Sequence, residues 1–136
     1  NVIDYITIAS AGNATDFGDL TVARQPYNSS CSNGTRALTM GGANDAYLNT
    51  IDYVTVASTG DAQDFGDLTV ASAKGSAVAN QTRAVRQAGQ TDSANPENSM
   101  DYVTIASTGN AADYGDASTA MKTHSGASDT HGGLQG

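Results

Sequence analysis

Carboxylates are the side chains best equipped for chemistry in this chain, and they recur at fixed places. Nine of the 14 acidic residues fall at three repeated positions: Asp4, Asp52 and Asp101; Asp16, Asp64 and Asp113; Asp19, Asp67 and Asp116. Hard cations such as Ca²⁺ take clustered carboxylates and carbonyls. The loop TGDAQDFGD therefore makes Asp61, Asp64 and Asp67 the best candidate metal cluster. Its spacing is not that of an EF-hand loop, and Asp and Gly are also ordinary turn formers.

Other reactive residues form no set. Asp16-Phe17-Gly18 and Asp64-Phe65-Gly66 match the metal-binding tripeptide of protein kinases. No Gly-rich nucleotide loop, catalytic loop or strand lysine accompanies them, so the match is accidental. His124 and His131 lack a Cys or carboxylate at metal-ligand spacing and read as exposed polar residues. Cys31 is single, which excludes an internal disulfide. Its repeat counterparts are Val78 or Ala79, and Ala127 or Ser128, so it reads as a small apolar filler. Serines abound without a G-x-S-x-G elbow. The expectation is a non-enzymatic chain with no cofactor.

Two binding features remain. Asn44, Asp45 and Tyr47 lie in an inter-strand loop, where polar residues and a Tyr on a rigid scaffold suit ligand or glycan contact. Asn13, Asn28, Asn33 and Asn80 head N-x-S/T sequons and are candidate glycosylation sites in a secreted protein.

Charge narrows the partners. The net charge is −8, with six Lys and Arg against 14 acids. That balance argues against nucleic acid, whose phosphates demand a basic patch. No apolar run approaches the length of a membrane span. Without an initiator Met or a signal peptide, the chain reads as a processed product or part of something longer.

The elements that must carry these residues come as a repeat. IDYITIASAGNATDFGDLTVA from Ile3 returns as IDYVTVASTGDAQDFGDLTVA from Ile51 and as MDYVTIASTGNAADYGDASTA from Met100. The starts at 3, 51 and 100 are 48 and 49 residues apart. Such a unit cannot bury its apolar faces alone and must stack on its neighbours. The chain is one repeat domain over 1–136, with units at about 1–48, 49–97 and 98–136.

Alternation and β-branched residues predict strands in the first unit over 2–10, 16–23, 27–32 and 36–40. Asn33-Gly34 is the hairpin turn, and Gly41-Gly42 stops the fourth strand. Four short strands per 40 to 50 residues is the pattern of a propeller blade. The expected fold is all-β and β-propeller-like, with about three four-stranded blades. Ile6, Val54 and Val103, with Ile8, Val56 and Ile105, should be buried between blades.

Arg36, the Gly41-Gly42 pair, Tyr47 and Asp52 follow the order of the kelch-type propeller repeat, which the chain resembles over nearly its whole length. The Trp usual in the outer strand of kelch blades is missing, with Phe17, Phe65 and Tyr114 nearest its place. The wording of the repeat also resembles kelch-like structural proteins of tailed phages that infect cyanobacteria. The resemblance implies a virion or other extracellular component: a structural or adhesive module of an appendage, tail fibre or filament. A carbohydrate-binding, lectin-like propeller is the alternative, with a cell-surface glycan as ligand. Closure usually takes at least four blades. The chain should therefore associate with copies of itself or with neighbouring virion or fibre proteins, or be a slice of a larger propeller.

Overall fold

The computed structural model describes residues 1–27, 29–91 and 95–128. Among them are ten strands and no helix. They are β1 (Val2–Tyr5), β2 (Thr15–Asp19), β3 (Ser30–Ser32), β4 (Arg36–Ala43), β5 (Tyr47–Thr55), β6 (Gln63–Asp67), β7 (Ser76–Ala79), β8 (Arg83–Gln90), β9 (Pro96–Thr104) and β10 (Ala112–Met121). Neighbours pair antiparallel in chain order, giving a two-stranded sheet 1 (β1–β2) and four-stranded sheets 2 (β3–β6) and 3 (β7–β10). The four-strand period expected from the repeat is thus met in sheets 2 and 3. Sheet 1 holds only the counterparts of β5 and β6.

Local chemistry explains why strand ends differ from expectation. The first strand stops at Tyr5, because Ser10 N donates to Thr7 O in a tight turn. The same turn recurs from Ser58 N to Thr55 O and from Ser107 N to Thr104 O. Gly41-Gly42 does not stop β4 but bends it, with a register shift between Met40 and Gly42. Gly41 has φ of +69°, and a Cβ there would meet the Ser72 carbonyl. Gly42 N donates to that carbonyl at 2.9 Å. A bulge at a glycine is the ordinary way to keep pairing through a bend. At Asn33-Gly34 the expected turn is present, with Asn33 Oδ1 accepting from Thr35 N and Arg36 N; Asn80 Oδ1 repeats this with Thr82 N and Arg83 N.

The sheets stack in chain order. Alternation gives each a forward face, toward the following sheet, and a rear face. Leu38 pairs with Tyr53 and Met40 with Ile51 on the forward side of sheet 2, whereas Ala84 pairs with Val103 on the rear of sheet 3. The core lies between these two faces. It contains Leu38, Met40, Ile51, Phe65, Val103 and Ile105, all nearly inaccessible.

The expectation that three equivalent apolar pairs are buried holds for one pair. Val103 and Ile105 are buried beneath full-width sheet 2. Val54 is half-buried and Val56 exposed, because sheet 1 covers them with two strands. Ile6 and Ile8 are 62% and 95% exposed, since they lie on the open rear face of sheet 1.

Candidate functional site

The polar side chains of the repeat converge on the junctions between sheets. Gly60 N donates to Phe17 O at 2.7 Å and Ala62 N to Asp19 O at 2.8 Å, so the loop after β5 docks on the outer edge of β2. Asp19 N returns a hydrogen bond to Asp61 Oδ1 at 3.0 Å. One unit on, Gly109 N donates to Phe65 O, Ala111 N to Asp67 O and Asp67 N to Asn110 Oδ1, at 2.7, 2.8 and 3.0 Å. Gly18 and Gly66, with φ of +150° and +143°, let the strands approach this closely. A Cβ on either would collide with the backbone of Gly60 or Gly109.

A buried carboxylate anchors each junction deeper in. Asp52 is 1% exposed and accepts from Thr21 Oγ1 at 2.5 Å and Thr21 N at 3.3 Å. Asp101 is fully buried and accepts from Thr69 Oγ1 at 2.6 Å and Thr69 N at 3.3 Å. Burying a charge is costly unless it is paired and hydrogen-bonded. At the first junction Arg24 supplies the cation, with Nη1 2.8 Å from Asp52 Oδ2, at ion-pair distance though poorly aligned for a hydrogen bond. At the second junction Ser72 stands at the place of Arg24. Arg86 is the direct cross-strand neighbour of Asp101, yet its Nη2 pairs with Glu97 Oε1 at 2.6 Å, and among the described residues no ion pair reaches Asp101. Arg36 adds a further link between sheets 2 and 3: it lies over the Tyr53 ring at 4.5 Å and donates from Nη1 to Ile105 O at 2.7 Å.

The residues singled out from sequence are scattered over this frame. Among the described residues no three His, Cys, Asp or Glu side chains stand together as a metal site. Asp61 accepts across the first junction, whereas Asp67 meets the second through its backbone N–H, so the repeat separates them. Asp64 is exposed on β6. Asn44 and Asp45 form the exposed β4–β5 turn, where Ala46 N donates to Asn44 Oδ1, and half-buried Tyr47 begins β5. Asn13 sits in an exposed loop. Asn33 Nδ2 is already engaged, donating to Gln81 O at 3.0 Å, and half-buried Asn80 holds its own turn. Asn28 and His131 lie outside the described residues. Burial pushes the Cys31 thiol up to about 12, which keeps it protonated and unreactive near neutral pH.

Sequence reasoning missed Thr21, Arg24, Thr69 and Arg86. A signal existed for the threonines: Thr21 and Thr69 recur in step with Asp52 and Asp101. No protein-family model matches the chain, and no curated protein matches it significantly.

Proposed function

We propose that this chain is a non-enzymatic structural or adhesive module of an extracellular assembly, built from kelch-type propeller blades and belonging to a phage appendage or fibre. The observation that carries the reading is where the polar chemistry is used. The repeated Asp and Thr side chains, with Arg24 at the first junction, join one sheet to the next. The repeat wording adds the likeness to phage structural proteins. Immunogold labelling of intact particles with an antibody against the chain tests it. Labelling along an appendage is expected; its absence from purified particles overturns the virion assignment.

A carbohydrate-binding propeller is the second reading. It is favoured by the exposed Asn44-Asp45 turn beside Tyr47, a polar tip backed by an aromatic ring. A glycan array decides between them. Reproducible binding to one sugar class, lost when Asn44 and Tyr47 are both changed to Ala, overturns the purely structural reading.

A further inference from the structure

We infer that the forward face of sheet 3 in one copy binds the rear face of sheet 1 in a second copy, head to tail, repeating the junctions inside the chain. This deepens the proposal of a structural assembly by naming its contact. The edge contacts, hydroxyl–carboxylate anchors and Arg–Tyr stacks that join sheets internally have counterparts at the two open ends, whereas Met121 stands where Arg24 supplies a cation. The loop Gly12-Asn13-Ala14 corresponds to Gly60-Asp61-Ala62 and Gly109-Asn110-Ala111. The edge Tyr114-Gly115-Asp116 corresponds to Phe17-Gly18-Asp19 and Phe65-Gly66-Asp67. Gly115 keeps a left-handed φ of +119°, yet a Cβ there would meet nothing within 4 Å. At Gly18 and Gly66 the close approach of the following loop is what excludes a side chain.

The anchors match as well. Asp4 stands where Asp52 and Asp101 stand, and Ser118 where Thr21 and Thr69 stand, so a hydroxyl can again meet a carboxylate. Asp4 and Ser118 are exposed, unlike the buried Asp52 and Asp101. Arg83 lies over the Tyr102 ring at 4.8 Å as Arg36 lies over Tyr53. Arg36 reaches the Ile105 carbonyl, and the counterpart for Arg83 is the Ile8 carbonyl of the second copy. Apolar side chains are exposed at both ends, Val2, Ile6 and Ile8 at one and Tyr114 at the other. The described tail covers only the β7 side of sheet 3, where Ser128 Oγ accepts from Ala79 N and donates to Ala79 O. Tyr114, on the β10 side, remains 52% exposed. A head-to-tail contact of this kind propagates into a fibre or, if its rotation closes, a ring.

Sedimentation velocity and oxidative cross-linking of the 136-residue chain test this. The chain should associate with rising concentration, and Ile6→Glu or Ile8→Glu should weaken association by at least roughly tenfold. Both residues are exposed, so the melting temperature of the dilute protein should stay in place. A chain carrying Asn13→Cys and Asp116→Cys should give a ladder of disulfide-linked multimers, whereas each single variant stops at a dimer. Asp67→Cys with Asn110→Cys, the corresponding internal pair, reports whether the geometry admits a disulfide. A monomer at all concentrations, association indifferent to both Glu substitutions, or a 13–116 disulfide formed within one chain each overturns the proposal. None of these outcomes bears on whether an antibody finds the chain on particles.

Discussion

Between sheets 1 and 2, Asp52 meets a cation from the preceding sheet, Arg24; between sheets 2 and 3, Arg86 stands across the strand from Asp101 but pairs with Glu97 of its own sheet. The rest of the polar pattern is the same at both junctions, down to 2.7, 2.8 and 3.0 Å in the edge contacts. Apolar burial is not the same. Ile105 is 1% exposed at the second junction, while its counterpart Val56 at the first is 45% exposed. Hydrogen bonds therefore set the spacing of the sheets whether or not the apolar faces are fully covered. The amount of stabilisation follows the width of the covering sheet, since buried apolar area scales with it.

The largest contrast should come from the glycines. Gly66→Val forces a side chain into the Gly109 backbone and should cost more than about 4 kcal/mol, detaching sheet 3. Gly115→Val meets open space and should cost only the backbone strain, about 1–3 kcal/mol. Urea unfolding of both variants measures the difference, and equal losses would remove the close-approach argument.

Next comes the cation. Arg24→Ser leaves Asp52 buried without its partner and should cost about 3–5 kcal/mol. Adding Thr39→Arg and Leu48→Glu transplants the Arg86–Glu97 pair of sheet 3, because Thr39 and Leu48 stand in sheet 2 where Arg86 and Glu97 stand in sheet 3. The triple variant should regain part of the loss in a thermal melt; further destabilisation would show that the two cation positions are not equivalent.

Packing should scale with cover. Ile105→Ala should cost about 2–5 kcal/mol. Ile8→Ala, at the same place in an uncovered unit, should change stability by less than about 0.5 kcal/mol. Similar losses at dilute concentration would mean that sheet 1 is covered after all.

The smallest effect concerns Cys31, which packs against the better-covered junction. Its folded-state value of about 12 lies above the ordinary 9.0, so the unfolded chain loses its thiol proton first. Stability should hold below about pH 9 and decline as pH rises toward 12. Cys31→Ala should flatten that part of the pH profile, and labelling by a thiol reagent at pH 8 should be slow until urea is added.

Much of the frame was legible. The 48- and 49-residue steps gave the strand count of sheets 2 and 3. Strand ends were less legible, because Gly41 reads as a stop and acts as a bulge, a choice made by the Ser72 carbonyl 31 residues away. Burial of Ile6 and Ile8 was misjudged because equivalent residues in a stack share a face but not a neighbour. The junctions escaped because Thr21–Asp52 and Thr69–Asp101 span 31 and 32 residues, beyond any local pattern. Of the candidate metal residues Asp61, Asp64 and Asp67, Asp61 alone has its carboxylate in a junction.

The change of cation between junctions also bears on how such a chain can evolve. Recombination between near-identical repeats readily deletes, duplicates or reorders units. Arg86 and Glu97 lie inside unit 2, so removing residues 49–97 takes both away and sets Arg24 and Thr39 against Asp101, the arrangement of the first junction. Duplicating the same span sets Ser72 against a second Asp52 with Arg86 across the strand, the arrangement of the second junction. A duplication whose ends fall between Arg24 and Thr39, such as that of residues 25–72, would instead set Ser72 against Thr39 and a second Asp52, a buried acid with neither arginine and an expensive defect. The two arginines thus tolerate exchange at the unit boundaries and penalise exchange within a sheet.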